Sequence, residues 1–152
     1  MNLDWGEFFG GIAGDPVLRF LSQGRNMQVV CYDCYYRDPD GRVWLAQVGD
    51  IVDGASIPKA LWTVYGGPFE GIYRTPSVFH DRACSYYETI AQRREADLMF
   101  YRACLCAGCT SEQANVLWLG VSMGTTTAER EGRDHGDKAF NVIVLDRPGN
   151  WH

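Results

Sequence analysis

Residues 75–108 read TPSVFHDRACSYYETIAQRREADLMFYRACLCAG, and this stretch decides the fold because it encodes two helices in succession. Thr75 as the N-cap and Pro76 at the first helical position predict a helix that runs to about Tyr87. A short polar connection follows, and the second helix begins directly after it. The two helices are therefore predicted to form an antiparallel pair.

The second and third helices each begin with the spacing of a capping box. Thr89 is followed by Gln92 three residues later, and the helix that they open is predicted to end near Gly108. Thr110 and Gln113 repeat the same pattern and open a third helix. The connections between the three helices are short, so neighbouring helices pack against one another.

The chain before the helices has the composition of β-structure. Two runs rich in Val, Tyr and other strand-forming residues, Met27–Tyr36 and Arg42–Val52, flank the turn sequence Asp38-Pro39-Asp40-Gly41. This arrangement predicts a β-hairpin over residues 27–53. Its alternation of apolar and polar residues is imperfect, which suggests strands with both faces partly covered.

One domain is expected from the length of 152 residues, with an α+β fold. We predict a β-hairpin or small antiparallel sheet packed with the antiparallel helical pair and a third helix. Asp15 and Pro16 predict a short helix through Leu21 in the N-terminal arm. The parts are an N-terminal arm and short helix at 1–24, the hairpin at 27–53, a helical core at 54–124, and a polar loop and C-terminal arm at 125–152.

Composition limits the classes of function. Hydrophobic residues make up 46% of the chain, which excludes wholesale disorder. A net charge of -5 argues against nucleic acid as a partner, because phosphate neutralisation requires a cationic face. No apolar run reaches the roughly 18 residues of a membrane-spanning helix. The first fifteen residues contain no Lys or Arg, so no secretory signal peptide is expected.

A histidine and an aspartate occupy matched positions on the predicted helical pair. His80 lies seven residues before Tyr87 and Asp97 lies eight after Thr89, so both sit at nearly the same height. Asp97 can then accept a hydrogen bond from His80 and orient it to activate a water molecule. The adjacent Asp81 can coordinate a hard cation such as Ca²⁺. The alternative is a buried polar contact that fixes the register of the two helices.

Four further residues are assigned to a pocket around His80: Asp53, Ser56, Tyr73 and Cys84. Ser56 could be read as a nucleophile, but no Gly-x-Ser-x-Gly motif surrounds it. Its place before Ile57 and Pro58 favours an N-cap instead. Ser56 and Asp53 are therefore predicted to form part of the pocket wall.

Six cysteines are present, and four of them form two Cys-x-x-Cys pairs, Cys31 with Cys34 and Cys106 with Cys109. Four thiolates can hold Zn²⁺ tetrahedrally. The first pair falls in a predicted strand, where residues three apart face opposite sides, so Zn²⁺ is disfavoured. A disulfide is a second alternative, and small apolar core thiols are the favoured interpretation.

Aromatic residues also occur in both arms, outside the predicted elements. Trp5, Phe9 and Trp151 are candidate interaction residues, because buried aromatic anchors dominate the energy of protein interfaces. Ordinary packing of the same rings onto the domain is the alternative.

Roughly Val48 to Gly124 resembles domain-of-unknown-function family 1353, whose members are small proteins common in tailed phages and prophages. The motifs that carry the resemblance are Asp53-Gly54-Ala55-Ser56-Ile57-Pro58, Leu61-Trp62, Gly71-Ile72-Tyr73, Val78-Phe79-His80-Asp81 and Arg93-Arg94-Glu95-Ala96-Asp97-Leu98-Met99-Phe100. The family usually has Tyr four residues after the His, where this chain has Cys84. The resemblance implies a hairpin with helices, other phage structural proteins as partners, and localisation to the virion or the bacterial host cytoplasm.

A weaker local likeness extends to the helix pair of phospholipase A2. By that likeness His80 would activate water, Asp81 would help bind Ca²⁺, and Asp97 would orient the histidine. Two functions are therefore expected as alternatives. One is a tailed-phage accessory or virion-associated protein, and the other is a small hydrolase acting on a cell-envelope component, either lipid ester or peptidoglycan.

Overall fold

Short antiparallel strands followed by long helices make up the computed structural model, which describes residues 10–21, 27–52, 59–61 and 71–136. The predicted α+β class, with a small antiparallel sheet, a helical pair and a third helix, is confirmed. In chain order the elements are β1 (Gly11–Ala13), β2 (Val17–Phe20), β3 (Met27–Val30), β4 (Cys34–Arg37), β5 (Val43–Ala46), β6 (Ile51–Val52), α1 (Arg74–Tyr86), α2 (Ile90–Ala107) and α3 (Ser111–Arg130).

The strands form two three-stranded sheets, ordered β1-β4-β5 and β2-β3-β6, with every pairing antiparallel. The predicted turn connects β4 to β5. A carboxylate oxygen of Asp38 accepts hydrogen bonds from the backbone N–H groups of Asp40 (2.9 Å) and Arg42 (3.0 Å). Its other oxygen accepts one from the Trp44 indole at 3.1 Å. The turn is therefore fixed by a single buried aspartate.

The predicted strand Met27–Tyr36 is interrupted, and the interruption is a bulge on the middle of three extended segments. Ala13 faces Tyr35 and Val17 faces Val30. Between these two pairs the first segment has three residues and the middle segment has four. On the other side Ala46 faces Cys34 and Ile51 faces Gln28, so four residues oppose five. The middle segment therefore carries one extra residue relative to both neighbours, as in a β-bulge.

Cys31, inside the bulge, has a φ of 75°, in the left-handed region that non-glycine residues rarely adopt. The extra residue also changes which positions face inward. Met27 and Val29 are buried before it, and Cys34 and Tyr36 are buried after it. The imperfect alternation of the first run follows from this change of phase, whereas in the second run Trp44, Leu45 and Ala46 are buried in succession, so both faces of β5 are covered as predicted.

The predicted short helix from Asp15 through Leu21 is wrong, because Val17–Phe20 forms β2 and pairs with β3. A helix of five or six residues gains too few hydrogen bonds to offset the cost of its nucleation. As a strand, the same residues form a ladder with a neighbour that is already extended.

The first helix begins slightly earlier than the sequence predicts. Tyr73 occupies the N-cap of α1 and makes no side-chain capping bond, so Thr75 lies within the first turn. The Thr75 hydroxyl instead donates to the Asp15 carboxylate at 3.1 Å, and Arg74 bonds the same carboxylate at 2.9 Å. Thr75, which was expected to cap the helix, thus attaches it together with Arg74 to the β1–β2 connection.

Both predicted ends of the second helix and the predicted start of the third are confirmed. The Thr89 hydroxyl accepts from the backbone N–H of Gln92, and Gly108 ends α2 with a φ of 107°. At α3, Thr110 and Gln113 form the complete reciprocal capping box. At α2, the Gln92 side chain accepts from Glu88 and not from Thr89, so that box is only half formed.

The polar loop predicted to begin at Thr125 is also wrong at its start, since α3 continues to Arg130. Thr125 and Ala128 are both buried, so the inward face of the helix persists beyond the apolar residues that the sequence pattern used. Thr127 satisfies its hydroxyl within the helix by donating to the Met123 carbonyl at 3.0 Å. Three threonines in succession therefore do not break the helix.

The core has two parts, and α2 contributes to both. One lies between the sheets and the α1–α2 pair and includes Tyr36, Trp44, Phe79 and Met99. The other lies mainly between α2 and α3 and includes Phe100 and Leu117. This places one face of α2 against α1 and the other against α3. Within the described ranges, no helix has both the length and the apolarity needed to cross a membrane.

Candidate functional site

His80 on α1 and Asp97 on α2 form a buried pair between the two antiparallel helices. The His80 Nε2 lies 2.8 Å from the Asp97 Oδ1, as the matched heights predict. Only 1% of the His80 side chain and 2% of the Asp97 side chain are exposed. The ring of Phe100 packs on the imidazole with a centroid separation of 5.1 Å. The pair is therefore closed off from solvent.

The second oxygen of Asp97 is held from the third helix. The Thr125 hydroxyl donates to Asp97 Oδ2 at 2.6 Å and accepts from Arg93 Nε at 3.2 Å. Arg93 also donates to the Tyr87 hydroxyl at 3.3 Å, and that hydroxyl donates to the Arg133 carbonyl at 2.6 Å. One chain of hydrogen bonds thus connects all three helices and the segment after α3.

The pKa of the His80 ring is raised above that of a free histidine. Burial lowers its pKa, but the neighbouring Cys84 sulfur and the Asp97 carboxylate outweigh that effect and raise the pKa from 6.5 to about 10. Nε2–H therefore donates and the Asp97 carboxylate accepts. A protonated ring cannot take a proton from water, so the raised pKa works against a role for His80 as a general base.

Cys84 lies one helical turn after His80 and contacts its ring. The sulfur is 3.6 Å from Nε2 and 3.8 Å from Nδ1. A sulfur aligned with one N–H bond would be distinctly farther from the other nitrogen, so Cys84 lies beside the ring and not along either bond. Unlike His80, Cys84 is partly exposed.

Asp81 and Tyr73, two further residues assigned to the site, are both buried. Asp81 accepts a hydrogen bond from Ser85 through its backbone carbonyl. No group of three or more His, Cys, Asp or Glu side chains in the described ranges is placed to hold a metal ion, so Ca²⁺ at Asp81 gains no support there. Tyr73 packs in the second part of the core with Phe100 and Leu117.

The other sequence-predicted site residues are placed as follows. Asp53, Ser56, Trp5, Phe9 and Trp151 all lie outside the described residues. The cysteines are all free thiols: Cys31 is exposed, Cys84 and Cys106 are partly exposed, and Cys34, Cys104 and Cys109 are buried.

Thr125 and Arg93 belong to the site but were not predicted from the sequence. Thr125 stands first in a run of three threonines that reads as a loop, so nothing marked it as a core residue. Arg93 adjoins Arg94, and such a charged pair at a helix start is typical of a solvated face. The available signal was spacing, because Arg93 precedes Asp97 by one helical turn and so shares its face.

A separate cleft of about 490 Å³ lies between the β4–β5 hairpin and α2. Two ion pairs cross it, Arg42 with Glu95 at 2.9 Å and Arg102 with Asp40 at 2.8 Å. Arg42 also lies over the Trp44 ring. The cleft is lined by Asp38, Asp40, Gly41, Arg42, Trp44, Glu95, Leu98, Met99 and Arg102, so it does not include the His80 pair.

The outward face of α3 carries an apolar stripe, defined as Val116, Leu119 and Met123. These side chains are spaced three and four residues apart, which places them on one face of the helix. They are 38%, 54% and 69% exposed, respectively. The stripe therefore exposes apolar surface to solvent on the side of α3 opposite to Leu117 and Val121.

Comparison with curated proteins finds two uncharacterized proteins of Sinorhizobium fredii (strain NBRC 101917 / NGR234). The chain is 42% identical to y4jT over 79 residues, which are 51% of this chain and 24% of that protein. It is 32% identical to y4iH over 89 residues, 59% of this chain and 36% of that protein. The chain thus spans about a quarter to a third of the length of these relatives. No solved structure matches.

The family profile described as Protein of unknown function (DUF1353) matches residues 28–121. This range extends from β3 into α3 and contains His80, Asp97 and Arg93. It covers more than half of the chain, and it includes the motifs on which the sequence resemblance depends. The chain therefore belongs to the DUF1353 family of proteins of unknown function.

Proposed function

We propose that this chain is a tailed-phage-encoded accessory or virion-associated protein that acts by binding other phage structural proteins during tail or particle assembly. The phage association rests on the motifs shared with the family. The part played by binding rests on the surface of α3. Relatives in which the matching segment is a fraction of a longer protein are consistent with a module that works attached to other parts.

The observation that carries this proposal is the apolar stripe. Leu119 and Met123 are more than half exposed, and Val116 extends the same face. Contiguous exposed apolar surface rimmed by polar residues is typical of protein-binding sites. A structural protein of the particle that presents a complementary apolar face is the proposed occupant.

The burial of the His80–Asp97 pair supports the same proposal. Both Asp97 oxygens are occupied by protein donors, and the His80 ring is covered by Phe100. A buried network of hydrogen bonds fixes the arrangement of the elements that it connects. Its role in this proposal is to hold three helices in register, so that α3 presents a rigid face.

Particle composition tests the proposal. A phage encoding the Leu119→Lys/Met123→Lys double variant is expected to yield particles, or tail intermediates, with at least tenfold less of this protein by quantitative mass spectrometry. Val48→Lys/Ile51→Lys is the matched control, since both are exposed apolar residues that lie in the β5–β6 region and not on α3. Circular dichroism checks that both variants remain folded. Equal incorporation of the folded double variant, or absence of the wild-type chain from particles and intermediates, would contradict the proposal.

A hydrolase acting on lipid ester or peptidoglycan is the second candidate. One observation favours it: the 2.8 Å bond between His80 and Asp97, with Asp97 braced by Thr125, has the geometry that orients a catalytic histidine. For this candidate the site would have to open, and the ring would have to lose its proton in the open state.

Purified protein incubated with labelled phospholipid vesicles or with purified peptidoglycan tests this candidate directly. Release of fatty acid or of muropeptides by wild-type protein, lost in a folded His80→Gln variant and kept in His135→Gln, would establish hydrolysis. No release from either substrate, with or without added Ca²⁺, would reject it and leave the binding function as the only one of the two.

A further inference from the structure

The apolar stripe of α3 belongs to a longer row of side chains that runs almost the whole length of the helix. The row extends the stripe by one threonine and by one charged residue at each end. We call it the α3 seam, and its members are Glu112, Val116, Leu119, Met123, Thr126 and Arg130. All of them are exposed except Thr126, which is partly exposed. Their spacing alternates between four and three residues, which is the spacing of a helix face that packs along a second helix.

The spacing of the seam is symmetric. From Glu112 to Arg130 the steps are four, three, four, three and four residues, so the order of steps is the same from either end. A second copy of α3 that lies antiparallel on the first therefore matches it at every position. Leu119 then lies opposite the second copy's Met123, and Val116 lies opposite the second copy's Thr126. The apolar side chains of the two copies meet at the centre of the seam.

The charges at the ends of the seam favour the same arrangement. Glu112 lies in the first turn of α3 and Arg130 in the last. Antiparallel pairing places Glu112 of each copy opposite Arg130 of the other, whereas parallel pairing places like charges together. Among the described residues neither side chain forms an ion pair, although the nearby Glu129 and Glu131 are each bonded to an arginine. Both end charges are therefore available to a second copy.

We propose that the α3 seam is a self-association surface, and that a second copy of this chain covers the apolar stripe by antiparallel packing of α3 on α3. The contact is the same on both copies, as a twofold axis requires, and the axis crosses the helix at the height of Val121. The seam is about 27 Å long. One pair of helices of that length makes a small interface, so the association is weak and reversible.

This inference concerns the same face as the proposed function, but it does not depend on it. The second copy covers the stripe in the free protein, and the structural protein of the particle takes its place during assembly. A dimer of the free chain and incorporation into particles are therefore measured separately.

Sedimentation equilibrium of the full chain tests the self-association. The average mass is expected to rise from that of one chain towards that of two as the concentration increases from about 1 μM to about 500 μM. Leu119→Lys/Met123→Lys should remain monomeric over this range. Val48→Lys/Ile51→Lys should associate as the wild type does, because these exposed residues do not lie on α3. A wild-type chain that stays monomeric, or a dimer that persists in the folded Leu119→Lys/Met123→Lys variant, would overturn the proposal.

Reversal of the end charges tests the antiparallel arrangement. Glu112→Arg and Arg130→Glu each place like charges at both ends of the seam, and each is expected to raise the dissociation constant by at least about fivefold. An equimolar mixture of the two single variants restores opposite charges at both ends and should associate as tightly as the wild type. The double variant Glu112→Arg/Arg130→Glu should do the same. Folded single variants that dimerise as the wild type does would refute the antiparallel pairing.

The outcomes also separate this inference from the proposed function. A monomeric wild-type chain that is still incorporated into particles would refute self-association and leave the proposed function in place. A dimeric chain that is absent from particles and tail intermediates would do the reverse.

Discussion

Thr125 shows how a single hydroxyl can serve one buried and one partly buried charge. It donates to the Asp97 carboxylate and accepts from the Arg93 guanidinium, and its own side chain is buried. Without it, Asp97 loses a partner in a place that water does not reach, and Arg93 loses one at a partly buried position. The cost of removing the hydroxyl therefore comes from polar groups that are left without a hydrogen-bond partner, and not from lost side-chain volume.

The Thr125→Val variant keeps the shape of the side chain and removes the hydroxyl. We expect the free energy of unfolding to fall by about 1–3 kcal/mol, the range for leaving a buried polar group unpaired. Urea denaturation measures it. Thr127→Val is the control, because Thr127 is exposed and bonds only within its helix, and it should change stability by less than about 0.5 kcal/mol. Equal effects of the two variants would contradict this account.

Two arginine–carboxylate pairs in the chain differ mainly in burial. Arg82 bonds Asp50 at 2.6 Å with both side chains 9% exposed, and burial raises the pKa of Asp50 despite the arginine. Arg94 bonds Glu129 at the same distance with both side chains about half exposed. The first pair is costly to bury but more costly to break.

Asp50→Ala is expected to lower the free energy of unfolding by about 3 kcal/mol, because it leaves the Arg82 charge buried without its carboxylate. Glu129→Ala, which breaks the exposed pair, should cost less than about 1 kcal/mol. Thermal or chemical denaturation of both variants provides the comparison. A loss at Asp50 no larger than that at Glu129 would mean that Arg82 finds another partner or solvent.

At the scale of the residue, the contacts that could be predicted from the sequence were those set by helical periodicity. The contact between His80 and Asp97 could be predicted, because the end of α1 and the start of α2 give the position of each residue along its helix. Cys84 could be placed beside His80 for the same reason. The burial of Thr125 could not be predicted, since this residue lies beyond the apolar pattern that indicates a buried helical face. Only packing against α2 makes it a core residue.

At the scale of elements, the bulge at residues 31–33 decides how the β-structure is arranged. It divides each of the three extended segments into two strands. In the middle segment, buried side chains both precede and follow the bulge, so β3 and β4 both contribute to the core. The left-handed φ of Cys31 is part of that geometry.

Replacement of Cys31 by a β-branched residue should strain the bulge. Cys31→Val is expected to destabilise the fold by about 1–2 kcal/mol, because a β-branched side chain clashes with the backbone at positive φ. Cys31→Asn is the control, since Asn tolerates this conformation and the Cys31 side chain is exposed and loses no packing. Urea denaturation compares them, and equal stability of the two variants would argue against a conformational requirement at this position.

Helix ends were predicted more accurately than strand ends, and the physical reason is local. Thr110, Gln113 and Gly108 act through bonds within a few residues of themselves, so their pattern is visible in the sequence. The state of Val17–Phe20 depends on β3, which lies across the sheet, and no local signal reports that partner. The bulge could not be predicted either, because one extra residue only makes the alternation of apolar and polar residues less regular.

At the scale of the whole molecule, His80 links stability to pH. Its pKa is about 10 in the folded chain and near 6.5 when unfolded, so the folded state binds the proton more tightly. Stability from this group is complete below pH 6.5 and is lost as the pH rises through 10. Between those limits the slope should not exceed about 1.4 kcal/mol per pH unit.

Urea denaturation at pH 6.5, 7.5 and 8.5 measures this slope. We expect the wild-type chain to lose stability steadily across the three values, and a folded His80→Asn variant to lose much less. The difference between the two proteins removes contributions that they share, including those of the thiols. His135→Asn should keep the wild-type slope. Parallel curves for wild type and His80→Asn would contradict the assignment of the charge to His80.

The overall class could be predicted because three helices and a strand-rich segment are each marked in composition. The central position of α2 could not, since a helix that packs on two sides gives no single apolar stripe. Its inward residues on one side include Met99 and on the other Phe100, which are adjacent in sequence.

The bulge also has a consequence for how this chain can change in length. Removal of one residue from 31–33 would restore equal numbers on the middle and outer segments. Met27, Val29, Cys34 and Tyr36 would then follow one unbroken alternation and would all still face inward. The bulge is therefore a position where the middle segment can lose a residue without any change in the outer segments, at the cost of the local bend and twist that a bulge introduces.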